Sequence, residues 1–140
     1  MFKRIAYAIL QLTWGLPQTL LGLILFLKNL SRPHESYLSC INTHWKSKGG
    51  ISLGLFIFTP DTQTTNYEKI RVHEYGHTIQ SLMLGPLYLP FIGIISYTWA
   101  NLPCFKRIRK EKRIPYTACF VESWASRLGE RVTGEEAIWH

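Results

Sequence analysis

The chain has 140 residues, enough for one domain, with 46% hydrophobic residues, 18% charged residues and a mean hydropathy of −0.01. Those values exclude intrinsic disorder, a collagen-like repeat and a disulfide-dense secreted scaffold. Sixteen Lys and Arg against nine Asp and Glu give a net charge of +7, which calls for a polyanionic partner, either nucleic acid or anionic lipid.

Ile5 to Leu27 is a run of 23 residues without a charge, preceded by Lys3 and Arg4. About 20 apolar residues cross a bilayer core as a helix, so this run reads as a membrane anchor. It is too long for a signal-peptide core, and no small-x-small cleavage site follows it. Gly15-Leu16-Pro17 in its middle allows one kinked span or a tight helical hairpin.

His34 to Lys48 is polar and loop-rich. Gly49-Gly50 then turns into Ile51–Phe58, a short apolar run bounded by Thr59-Pro60-Asp61 that reads as a strand. Thr65-Asn66-Tyr67-Glu68 has the capping-box pattern and opens a helix predicted to reach about Leu84.

Leu82 to Phe105 is a second uncharged run, of 24 residues, interrupted by Gly85, Pro86, Pro90 and Gly93. A helix end near Gly85, a loop through Pro90 and a helix from about Phe91 to Asn101 fit that spacing, so the segment reads as a membrane hairpin or re-entrant element. Lys106 to Arg113 follows, with six basic residues in eight. Beside an apolar segment such a cluster marks the cytoplasmic face and anionic headgroups, and no nucleic-acid-binding motif accompanies it. Phe120 to Gly129 reads as a final helix ending at Gly129. Cys40, Cys104 and Cys119 are an odd set without a CxxC pair, so they indicate neither a disulfide framework nor a zinc ribbon.

The chemistry is concentrated in the helix after the strand, at His73-Glu74-Tyr75-Gly76-His77. Residues four apart share one helical face, so both imidazoles can reach a single zinc ion, while Glu74 lies beside the metal as a general base. Random placement of 5 His and 8 Glu over 140 residues gives about 0.01 such HExxH matches. A catalytic zinc needs a third protein ligand. Glu122, an acid in the apolar stretch Ala118–Ala125, is costly there without a cation and is the leading candidate. Asp61, Glu68, His34, His44 and His140 are the alternatives.

HEYGH followed about 45 residues later by a helical Glu resembles the gluzincin branch of zinc metallopeptidases. The apolar flanks resemble the small integral-membrane members of that zincin-like superfamily. The resemblance covers roughly 51–129, and it implies that His73, His77 and Glu122 bind zinc and that Glu74 is the general base. It also implies that 51–58 lines the substrate cleft. Gluzincins often carry an Asp four residues after the ligand Glu, to hold a zinc-bound histidine; here that position is Ser126. The family's oxyanion-stabilising donor has no motif in this chain. Tyr116 is the first candidate and His44 the second.

The expected fold is a mainly α membrane protein in one 140-residue domain. It has a minimal zincin-like core, formed by the HExxH helix, a short strand or hairpin and a glutamate-bearing helix. A single span at 82–105 would put His73 and Glu122 on opposite sides of the membrane, so that segment should enter and return. The expected function is zinc-dependent hydrolysis of peptide or membrane-proximal protein substrates. The site would face the cytoplasm, with residues 106–113 on anionic lipid. A non-catalytic metal-binding membrane scaffold or a partner-binding protein is the alternative. A metal-free basic membrane or nucleic-acid binder would leave HEYGH a coincidence.

Overall fold

A computed structural model describes residues 1–139. The chain is mainly α-helical with one small sheet. Its elements are α1 (Phe2–Thr13), α2 (Leu16–Lys28), β1 (His34–Tyr37), β2 (Cys40–His44), β3 (Ile51–Leu53), β4 (Phe56–Thr59), α3 (Tyr67–Leu84), α4 (Ile94–Asn101), α5 (Pro103–Lys112) and α6 (Phe120–Thr133).

The sheet has the order β1-β2-β4-β3. The central β2–β4 pair is parallel, from Ile41 opposite Phe56 to His44 opposite Thr59, and the two outer pairs are antiparallel. β4 is aromatic and β-branched and is buried along its whole length, as a central strand should be. The predicted strand at 51–58 is in fact a hairpin. Gly54 takes φ +65 in the turn, and a methyl there would stand 2.8 Å from the Thr19 Cα. The predicted loop at 34–48 is also corrected, since it contains β1 and β2. Their polar sequences are accommodated because Asn42 bonds Thr59, Tyr67 and Glu35 across the sheet.

α3 crosses the sheet and packs mainly on α6. Its start agrees with expectation, but the capping box does not form. Asn66 occupies the cap position with φ +65, and no side-chain cap bond is made there. Gly129 does not end α6, which runs on to Thr133 and stops at Gly134 in the left-handed conformation. Gly129 instead serves the helix crossing, for a methyl on it would lie 3.0 Å from the Val72 carbonyl carbon. Across the same contact, a methyl on Gly76 would lie 2.6 Å from the Ala125 carbonyl carbon. The two glycines let the backbones of α3 and α6 meet directly.

The segment after α3 is not a loop through Pro90. It continues as a 3-10 turn at Gly85–Leu87 and a π turn at Leu89–Gly93 that runs into α4. Each proline lies in the first turn of its piece, where no helical N–H is lost. The basic cluster forms α5 and ends at Arg113 in the left-handed conformation. Among the described residues no single helix is long and apolar enough to cross a membrane. α1 and α2 together have the length and composition, but they are bent by 94° at Trp14-Gly15.

Candidate metal centre

His73 and His77 lie one turn apart on α3, their rings edge to face with centroids 4.8 Å apart. The α3–α6 crossing brings Glu122, in the first turn of α6, against them. Glu122 is fully buried, and its Oε2 lies 3.0 Å from His73 Nε2 and 3.2 Å from His77 Nε2. One donor atom from each residue falls within 4.8 Å of the others, so the three could hold a metal ion.

The hydrogen bonds behind the two rings define which nitrogen faces the centre. Ser126 Oγ donates to the Ile138 carbonyl at 2.7 Å, so toward His73 Nδ1, 2.8 Å away, it can only accept. Gln80 donates its amide to the Val121 carbonyl at 2.9 Å, which aims its Oε1 at His77 Nδ1, 2.6 Å away. Both rings therefore carry hydrogen on Nδ1, which leaves Nε2 of each to share a cation, a proton or a metal ion, with the Glu122 carboxylate. Two lone pairs and a carboxylate oxygen repel one another unless a cation stands among them. The other carboxylate oxygen, Glu122 Oε1, is buried with no hydrogen-bond partner.

The ionisation of the group expresses the same demand. Burial pulls His77 down, but the charge and hydrogen bond of Glu122 outweigh it and push His77 up to about 9. In metal-free protein a proton on His77 thus supplies the missing positive charge. Burial opposes the Glu122 charge, yet His77 and His73 hold the carboxyl well below its usual range. For His73, burial wins and lowers its pKa.

Glu74 borders a cavity of about 320 Å³ that also touches His77, Glu122, Tyr116, Tyr88 and Gly50. Burial pushes its carboxyl up to about 8. A methyl on Gly50 would lie 2.6 Å from Glu74 Cγ and 2.7 Å from its Cδ, so the bare Gly50 makes room for this side chain. Tyr116 stands on the opposite wall, with Ser96 and Glu122 beside its hydroxyl. Burial and the nearby Glu122 and Glu74 carboxyls push that hydroxyl well above 10, which keeps it a donor.

Glu74, His77, Tyr116 and Glu122 thus line one cavity, and His73 adjoins it through its contacts with His77 and Glu122. Among the described residues the other candidates do not reach it. His44 donates its Nδ1–H to the Pro60 carbonyl and faces Glu35 on the sheet, Asp61 pairs with Arg32, and Glu68 is exposed at the start of α3. His34 packs its ring edge-on against Phe26. His140 lies outside the described residues. Two participants escaped the sequence analysis, Gln80 and Gly50. Gln80 was detectable in principle, since it lies three residues after His77 and so shares its helical face.

Comparisons of the chain with protein-family models, with curated proteins and with solved structures find no match.

Proposed function

We propose that the protein is a zinc-dependent metallopeptidase of the membrane, acting on peptides or on the membrane-proximal segments of proteins. One observation carries the reading. Two histidines locked by their Nδ1 bonds and a buried carboxylate converge their lone pairs on one point beside an acid that borders a cavity. Zinc ligands at about 2.0–2.1 Å stand about 3.3 Å apart around a tetrahedron. The 3.0 and 3.2 Å separations lie close to that edge. His73 Nε2, His77 Nε2 and Glu122 would hold the ion.

Zinc bound there supplies Lewis acidity toward a scissile carbonyl and an attacking water. Glu74 takes the proton that water loses and delivers it to the departing amine nitrogen, a role suited to a carboxyl whose affinity for protons burial has raised. The Tyr116 hydroxyl donates a hydrogen bond to the carbonyl oxygen as it gains charge. Glu122 and the rings of His73 and His77 stay in place because Ser126 and Gln80 hold them from behind. Ser126 stands where gluzincins often have Asp, and by accepting from His73 Nδ1 its hydroxyl can serve the same holding role.

Membrane placement is supported by an inversion of polarity. The side chains of Gln11, Gln18 and Thr19 are buried, while most apolar side chains of α1 and α2, Tyr7 and Phe26 apart, are exposed. That distribution is unfavourable in water and favourable in lipid. The basic α5 would lie at the cytoplasmic leaflet.

The test is metal content together with turnover. The expected result is one zinc per chain, lost in His73→Ala, with peptide cleavage abolished in Glu74→Gln while its zinc is retained. Unchanged cleavage in Glu74→Gln would overturn the mechanism.

A further inference from the structure

We propose that the protein seats itself in one leaflet of an anionic membrane through the elbow of α1 and α2, without crossing the bilayer; this rests on the membrane placement above and not on the peptidase activity. The argument begins with length. At 1.5 Å per residue the 12 residues of α1 and the 13 of α2 extend about 18 and 20 Å, against about 30 Å of hydrocarbon. A bend of 94° leaves an included angle of about 86° between the two axes. Standing symmetrically on its elbow, such a V is about 14 Å deep, and with one arm along the membrane normal it is about 20 Å deep, both short of the hydrocarbon thickness.

The chemistry of the two faces agrees with that seat. On the inward face, Gln11 donates to the Thr78 carbonyl at 3.1 Å and accepts from Ser81 Oγ at 2.8 Å. Gln18 donates to Ser81 Oγ at 2.7 Å and to the Gly85 carbonyl at 2.9 Å, and Thr19 donates to the Gln11 carbonyl at 2.7 Å. All three side chains point away from the outer surface. On the outward face Ile9, Leu12, Leu20, Ile24 and Leu27 are each about half exposed, and Leu87 and Phe91 of the segment after α3 are too. Contiguous exposure on that scale marks an interaction surface.

Charge identifies the occupant. The uncharged 5–27 is bracketed by Lys3 and Arg4 at the start of α1 and by Lys28 at the end of α2. In a straight span these charges would lie on opposite sides of the membrane. The elbow turns both ends to the same side, where anionic headgroups would receive all three. A protein partner would supply no such division between an apolar tip and two basic ends.

The experiment uses the full chain, purified in detergent and added from outside to sealed vesicles of phosphatidylcholine with or without 30% phosphatidylglycerol. Vesicle flotation should recover the protein, with at least tenfold more bound on the anionic vesicles. In a Cys104→Ser, Cys119→Ser background, Lys3→Cys and Lys28→Cys should both react fully with a membrane-impermeant maleimide from outside. Protection of either one until the vesicles are lysed would overturn the single-leaflet seat. Failure to float with either lipid would overturn the membrane placement itself, and a cleavage assay in detergent would leave the zinc chemistry to be judged separately. A double variant, Leu20→Lys with Ile24→Lys, should lose at least tenfold in vesicle binding with an unchanged circular dichroism spectrum. Undiminished binding by that folded variant would place the contact elsewhere and overturn the proposal.

Discussion

Replacing Gly76 by Ala should abolish the metal centre although it alters no ligand. A methyl at that position would lie 2.6 Å from the Ala125 carbonyl carbon and 3.0 Å from the Gly129 nitrogen. These are backbone atoms, so no side chain can swing aside to relieve the contact. Ordinary van der Waals contact begins near 3.4 Å. The two helices must therefore part by at least about 0.8 Å at the point where they carry the candidate site, and by more to clear the still closer Ala125 carbonyl oxygen. Glu122 and Ser126 would move off with α6, while His73 and His77 remain on α3. Metal–ligand distances tolerate only about 0.2 Å. The loss in zinc affinity should therefore exceed the roughly 10–100-fold that follows from removing one outer hydrogen-bond partner. Overpacking should also cost about 1–3 kcal/mol of stability. Competition with a chromophoric chelator gives the affinity, and thermal melting followed by circular dichroism gives the stability. Gly49→Ala is the matched control, because a methyl there meets nothing within 4 Å. A folded Gly76→Ala protein with the parent's zinc affinity would refute the claim that the glycine crossing assembles the site.

Gly50→Ala should behave in the opposite way, keeping its zinc but losing about 100-fold in kcat, because its methyl displaces only the flexible Glu74 side chain. Metal analysis and steady-state kinetics on one preparation separate the two effects. Ser126→Ala and Gln80→Ala should each weaken zinc binding by about 10–100-fold in the chelator competition, since each frees one imidazole to rotate. Zinc must displace the His77 proton, so zinc affinity should rise about tenfold per pH unit up to about 9, read by titration calorimetry in buffers of different ionisation enthalpy. The metal-free protein should show the reverse trend. The raised His77 value contributes stability that is complete below its unfolded value near 6.5 and lost as pH rises through about 9. The raised Glu74 value acts in the same direction, its contribution present below about 4.5 and lost through about 8, so the metal-free Tm should fall from pH 6.5 to 9.

The site residues were legible in the sequence because each carries its own chemical anomaly. Histidines four apart define a face by helical geometry alone, and Glu122 stood out as an acid in an apolar stretch. The crossing that joins them was not legible. Gly129 looks like a helix terminator because glycine after a periodic run usually ends one, and nothing local distinguishes a stop from a contact with another backbone. β1 and β2 were hidden by composition. His34-Glu35-Ser36-Tyr37 and Asn42-Thr43 carry few apolar residues, and they are held by side-chain bonds to Thr59 and Tyr67 that only the tertiary fold supplies. The prolines at 86 and 90 suggested breaks, yet each begins a new helical piece. The uncharged run at 5–27 is plain in the sequence, but its 94° bend depends on where Gln11 and Gln18 find partners.

Those two glutamines connect the anchor to the chemistry. α3 has polar residues around most of its circumference, yet it is buried on nearly every side, so its stability depends on polar partners more than on apolar area. At its start Tyr67 donates to Glu35 at 3.1 Å, and in its middle the two histidines face α6. Its last two turns are held by Gln11 and Gln18 through Thr78, Ser81 and Gly85. Thr78 is the residue immediately after His77. Any change that withdrew the elbow from α3 would leave buried polar groups unpaired within one residue of the candidate metal centre, at a cost of about 1–3 kcal/mol for each. Whatever surface its outer face meets, the inner face of the elbow therefore forms one wall of the helix that bears the candidate site.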